Sequence, residues 1–341
     1  MSLHFPSLAY AYGLPVASGQ LKQSPEDFIV TEQLSFEPSG EGEHLFVSIK
    51  KTGLNTLDVV EQLAKHFHIH PRHIAYAGLK DKNAVTTQWF CFPFPIKSIP
   101  DYKDLGSEFI TVVDAVRNAK KLKRGAIKRN SFKIILRNLE GNISSIEKRI
   151  KLIKEQGVPN YFGAQRFGYN ENNLVNASKL FSGKIKCSRN KKSIYLSAAR
   201  SFLFNEIVSQ RVKDKTWNKL LDGDVASLNA SRSFFIIEKV DADLQLRLQH
   251  GDIHPSAALW GKGELETQFK IKELEETIVN SNLEFANGLV KQGLQQDRRA
   301  TRVLVPDLDY QLDDNNLKLE FSLPSGAYAT CVLREILDIK G

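Results

Sequence analysis

The segment His73–Phe92 reads HIAYAGLKDKNAVTTQWFCF, two alternating stretches around a polar turn. Ile74 and Tyr76 alternate with small residues on one side. On the other, Val85, Thr87 and Trp89 alternate with Thr86, Gln88 and Phe90. Two period-2 patterns around Gly78-Leu79-Lys80-Asp81-Lys82-Asn83 predict a β-hairpin with Asp81 at its tip. A stiff sheet edge would present that carboxylate outward. The ammonium groups of Lys80 and Lys82 beside it favour the charged form, available as a nucleophile or an electrostatic stabiliser. By local chemistry alone an ordinary solvated turn is the simpler reading, because Asp and Asn are common turn residues.

On the N-terminal side, Asn55 or Thr56 is placed to cap a helix carrying Leu57, Val60, Ala64 and Phe67 at helical spacing, with Pro71 beyond its end. On the C-terminal side, Phe132, Ile134 and Leu136 put one face on a strand over 131–136. Ser144 and Glu147 form a capping box for a helix with Ile146, Ile150 and Ile153 on one stripe, and Gly157 is a natural stop. The pattern then changes character. Ser197 is expected to open a helix with Phe202, Ile207 and Val208, and an amphipathic helix is expected from Ser281 to Gln295. Leu317, Leu319, Phe321 and Leu323 restore the strand alternation, and Ser325 is expected to cap a last helix containing Leu333, Ile336 and Leu337. The two ends therefore read as one α+β domain with a mixed, mainly antiparallel sheet. It is interrupted by an inserted unit with boundaries near residues 155 and 303.

At 341 residues, with 42% hydrophobic and 25% charged side chains, the chain is long enough for two compact units. Its 47 basic against 39 acidic residues give a net charge of +8, which favours a polyanionic partner. Nucleic acid fits that balance, as does an anionic membrane surface. Cys91, Cys187 and Cys331 are far apart and form no CxxC pair, which argues against a zinc knuckle or a disulfide framework. No metal site is expected, since the histidines lack an HExxH frame. No basic residue precedes Lys22 and no apolar run approaches bilayer length, so a cytoplasmic protein without a membrane segment is expected.

The string GLKDKNAVTTQ, with its flanking strands, closely resembles the signature of the TruD family of tRNA pseudouridine synthases. Further blocks follow in the family's order. They are Leu21-Lys22-Gln23-Ser24-Pro25-Glu26-Asp27-Phe28-Ile29-Val30, Gly40-Glu41-Gly42-Glu43-His44-Leu45-Phe46-Val47 and Lys51-Thr52-Gly53-Leu54-Asn55-Thr56. Beyond the hairpin come Arg124–Phe132, Gly157–Gly168 with NYFGAQRFG inside it, and Leu323–Thr330 leading into Leu333-Arg334-Glu335. The likeness covers nearly the whole chain. It implies a discontinuous catalytic domain of the pseudouridine synthase fold over 1–155 and 303–341, with an inserted α/β domain over 156–302. It also implies an isomerase that needs no cofactor and acts on uridine 13 of tRNA, chiefly a glutamate tRNA.

By that resemblance Asp81 is the nucleophile and Lys22 the basic residue that keeps it charged and oriented. Phe28 packs on the target base and Asn130 meets its edge. Read in isolation, Phe28 would be core, Asn130 a turn residue and Lys22 a solvated lysine. Tyr328 stands where the family commonly has phenylalanine. A phenol stacks equally well, but its hydroxyl then requires a partner. For RNA docking the run Arg117, Lys120, Lys121, Lys123, Arg124, Lys128 and Arg129 leads directly to Asn130, and a second cluster runs from Lys184 to Lys192. Such charges set position and salt-dependent affinity. Arg166 is expected at the RNA as well. No obligate protein partner is evident, and a monomer is expected. Two rivals stand beside this reading: a non-catalytic RNA-binding module, for which the basic clusters suffice, and a metal-dependent nuclease, which would need clustered carboxylates that the sequence lacks.

Overall fold

A computed structural model describes residues 7–103, 105, 108–231, 233–313 and 315–340. In chain order the elements begin with β1 (Ala17–Leu21), β2 (Phe28–Leu34), β3 (His44–Thr52), α1 (Thr56–His66), β4 (Ala75–Tyr76), β5 (Val85–Pro93), β6 (Ile110–Asn118), β7 (Ile127–Gly141) and α2 (Ser144–Gln156). They continue with β8 (Val158–Pro159), α3 (Asn172–Phe181), α4 (Arg189–Lys213), β9 (Val225–Leu228), β10 (Phe234–Ile236), α5 (Ala242–Gln249) and β11 (Ile253–Leu259). The last are α6 (Phe269–Asn280), α7 (Leu283–Lys291), β12 (Asp297–Ala300), β13 (Arg302–Val303), β14 (Asp309–Leu312), β15 (Asn316–Pro324), α8 (Ala329–Ile336) and β16 (Asp338–Lys340).

Two compact units result. One comprises Val16–Glu147, Val305–Gly326 and the residues from Leu337 on. Its sheet runs β14-β15-β7-β2-β5-β3-β6, with β1 between β7 and β16, and β4 on β5. Only β2 with β5 and β1 with β16 run parallel among the described strand pairs, so the sheet is mixed and mainly antiparallel. The two strands read from alternation meet residue for residue, Leu317 opposite Leu136, Leu319 opposite Ile134 and Phe321 opposite Phe132. All six are buried, and the two phenyl rings stack 5.4 Å apart. Burying a side chain of this size contributes about 1.5–3 kcal/mol, which is why the face dictates the register.

Helix α1 covers the opposite end of the sheet. Asn55 caps it with Asp58 completing a capping box, and Val59, Val60 and Leu63 pack on Leu45, Val47, Ile49, Phe90 and Phe92. Leu57, expected on the apolar stripe, is instead exposed.

The hairpin around Asp81 needs correction. β4 has two residues, and its register pairs Ala75 with Cys91 and Tyr76 with Phe90. The start of β5 pairs with other strands, Val85 with Ile29 of β2 and with Thr52 of β3. Asp81 therefore sits on a broad connection, not a tight tip. Alternation identified the strands, but non-local partners with larger apolar faces decided which edges pair.

The other unit comprises the described residues up to Pro15, Lys148–Leu304 and Ala327–Ile336. The 25-residue α4 is its spine. Ala198, Ala199, Phe202 and Leu203 face α3 and α7, while Phe204, Ile207, Val208 and Val212 join Ala257 and Ala258 of β11. A helix apolar on two sides is one buried between layers. It begins at Arg189, capped by Ser188, well before the expected Ser197. The helix expected from Ser281 is shorter, Leu283–Lys291, with α6 before it.

Relative to the expected boundaries, the N-terminal segment and α8 pack with this unit. Arg334 donates to Leu8 O and Ala9 O, Glu335 accepts from the Ala11 and Tyr12 amides, and Arg149 donates to Gly13 O and Leu14 O. Side-chain bonds to backbone hundreds of residues away leave no local pattern to read.

Candidate active site

Lys22 follows β1 directly and holds a left-handed backbone, φ 61°. Such a conformation in a residue other than glycine costs roughly 1–3 kcal/mol and persists only where surroundings impose it. It brings the Lys22 ammonium to the Asp81 carboxylate, where the two form a tight ion pair. The same ammonium lies 4.4 Å from the ring centroid of Phe28, a cation–π distance. Both side chains of the pair keep 23% exposure, enough for a reacting partner to reach them.

Polar groups underneath fix the connection that carries Asp81. Thr56 Oγ1 accepts from the Lys80 amide at 2.9 Å and donates to Gln88 Oε1 at 2.9 Å, while Gln88 Nε2 donates to Gly78 O at 3.3 Å. The Asn83 amide donates to Asp81 Oδ1 at 3.2 Å, a local turn that sets the carboxylate's rotation. Lys51 of β3, with no exposed surface, donates to Asp81 O at 2.8 Å and to Leu54 O at 2.6 Å. Burial pulls the Lys51 ammonium down to about 8. The Asp81 and Asp58 carboxylates oppose that shift, and Lys80 adds to it.

Asn130 lies in β7, opposite Glu32 of β2, and not in a turn. Lys80 links them: its ammonium stands 2.8 Å from Glu32 Oε1 and donates to Asn130 Oδ1 at 2.8 Å. Burial pushes the fully enclosed Glu32 carboxyl up, against the pull of Lys80 and the Trp89 amide. The Asn130 carbonyl is thereby occupied, which leaves the amide hydrogens as its outward donors.

Thus Lys22, Phe28, Asp81 and Asn130 gather on one unit. Lys121, Lys123 and Arg124 are exposed on the connection between β6 and β7, which the Gly125 amide ties to Ala77 O at 3.2 Å. Arg117, read as part of that run, braces backbone instead, donating to Gly42 O, Phe94 O, Pro95 O and Ser98 O.

Tyr328 and Arg166 belong to the other unit and to each other. Arg166 Nη2 donates to the Tyr328 hydroxyl at 2.9 Å and Nη1 to Ser197 Oγ at 2.9 Å. The partner that a phenol needs in place of phenylalanine is therefore Arg166. Gly163 makes room for the ring, since a Cβ there would stand 2.8 Å from Tyr328 Cδ1.

Lys51, Glu32, Thr56 and Gln88 were missed as site residues, yet two of them carried a signal. Lys51 is in phase with Leu45, Val47 and Ile49, and Glu32 with Phe28, Val30 and Leu34. A charge in register with a strand's buried face is a charge that the fold must hold inside.

The chain matches the family model of tRNA pseudouridine synthase D (TruD) over residues 7–187 and 171–336. A tRNA pseudouridine synthase D of Methylococcus capsulatus is 45% identical over 336 residues, 98% of this chain and 95% of that protein. One of Aeromonas salmonicida is 44% identical over 331 residues, 97% of this chain and 94% of its own. A crystal structure of a TruD candidate from Methanosarcina mazei shares the fold, with a TM-score of 0.74 over 96% of this chain and 95% of its own at 22% identity.

Proposed function

The chain belongs to the tRNA pseudouridine synthase D family and isomerises uridine to pseudouridine in tRNA, and from that premise we propose that Asp81 is the nucleophile and uridine 13 of a glutamate tRNA the chief target. The reaction breaks the bond from N1 to the ribose, turns the uracil over and rejoins it through C5, with the C5 proton lost and N1 protonated. Oxidation state is unchanged. The base must first leave its stack, because stacking hides those atoms.

The observation that carries this reading is the Lys22–Asp81 pair against the Phe28 ring. The Lys22 ammonium on Oδ2 and the Asn83 amide on Oδ1 fix the orientation of the carboxylate that is proposed to meet the nucleotide. Phe28 offers an apolar edge to an everted base. Asn130, its carbonyl taken by Lys80, offers N–H groups to a uracil carbonyl. Lys121, Lys123 and Arg124 meet the phosphate backbone, and the Arg166-held Tyr328 meets RNA from the insertion unit. In this assignment the unit of Val16–Glu147 and Val305–Gly326 is catalytic, and the unit containing Lys148–Leu304 is the family's insertion. The protein works as a monomer in the cytoplasm without a cofactor.

Asp81→Asn tests the assignment. tRNA binding survives, while tritium release from C5-labelled uridine falls about a thousandfold or more. Retained isomerisation in that variant would remove Asp81 from the mechanism and leave an RNA-binding turn.

A further inference from the structure

The geometry points to Lys51 as a positioning residue for isomerisation, its buried ammonium gripping the Asp81 carbonyl and so fixing the carboxylate of the same residue against Lys22. The inference rests on the reading of Asp81 as the catalytic group.

Three observations support it. Lys51 continues the apolar face Leu45, Val47, Ile49 and has no exposed surface. Among the described residues it forms no salt bridge, and its hydrogen bonds go to two backbone carbonyls, those of Leu54 and Asp81. Its strand neighbours Thr86 and Ile110 are uncharged. The charged groups that face it are Asp58 in the first turn of α1, and Lys80 and Asp81 on the connection. A buried cation without a carboxylate partner opposes folding, and an apolar side chain of similar size at this place would relieve that cost. What the ammonium does supply is a charge-assisted bond to the backbone of the one residue whose carboxylate must be held to a fraction of an ångström.

The direction of its titration adds a second handle. Because burial lowers the Lys51 ammonium to about 8, below its ordinary value, the charge opposes folding most at lower pH, and that cost fades as pH rises through about 8. Catalysis should respond the other way: above about pH 8 the ammonium becomes an amine, its grip on the carbonyl weakens, and turnover falls.

Lys51→Met separates a positioning role from a structural one, because the two predict opposite signs. With positioning, kcat on tRNA falls about 10- to 100-fold, KM stays within about twofold, and the melting temperature is unchanged or higher. The wild-type protein loses turnover above about pH 8, and Lys51→Met lacks that alkaline limb. Lys50→Met, changed at the exposed neighbour, behaves as wild type. Wild-type kcat in Lys51→Met would overturn the inference, and so would a loss of activity matched by a loss of the folded state. Asp81→Asn in the same assay keeps the two readings apart. If it is inactive while Lys51→Met is fully active, only the role of Lys51 fails; if it is active, the Asp81 reading fails first.

Discussion

Lys51 and Arg211 are both buried without exposed surface, one in each unit, and they are buried for different reasons. Arg211 at the end of α4 is paired with a buried carboxylate, that of Asp224. Its guanidinium forms two bonds to Asp224, at 2.9 and 2.7 Å, and donates further to Thr216 O and Lys219 O. Lys51 has two carbonyls. The first is an ion pair that stitches a helix end to the connection before β9. The second is a cation without a carboxylate pair, and one of its two bonds ends on the residue proposed to do the chemistry. Arg211, held by a buried carboxylate, serves the architecture, whereas Lys51, without such a pair, stands where the fold accepts instability for function.

The largest effect that would break this contrast is expected at Asp224. Asp224→Ala strands the buried guanidinium of Arg211 and should cost about 3–5 kcal/mol in chemical denaturation. A loss below about 1 kcal/mol would mean that Arg211 is no better partnered than Lys51.

Lys22 lies between these cases, partly exposed but paired with a carboxylate. Lys22→Met should lower kcat about a hundredfold with tRNA affinity nearly unchanged. Its stability should move by less than about 1 kcal/mol, as for partly exposed ion pairs. An effect confined to affinity would make Lys22 a phosphate contact.

The smallest effect belongs to exposed cations. Lys121→Ala combined with Arg124→Ala should reduce the salt slope of tRNA binding by about two, with turnover at saturating tRNA preserved. An unchanged slope would remove that surface from the interface.

Much of the fold was legible because it follows from period. The apolar faces of β7 and β15, the capped helix α1 and the Ile146, Ile150, Ile153 stripe of α2 are local patterns that burial makes obligatory. The failures share a cause. The strand pairing around Asp81, the start of α4 at Arg189 and the association of α8 with the Lys148–Leu304 unit depend on partners far away in the chain. Arg117 read as one more surface cation because nothing local announces the four carbonyls it braces.

Motif order and hydrophobic alternation, written along the chain, suffice for the family, the buried faces of the strands and the residue types of the candidate site. It took the folded chain to give Lys22 a left-handed backbone that reaches Asp81, to set Lys80 between Glu32 and Asn130, and to close Lys51 on the Asp81 carbonyl. The reason is physical. A buried charge is set by which groups close around it, and those groups come from β2, β3, β7 and the connection before β5, brought together only when the sheet forms.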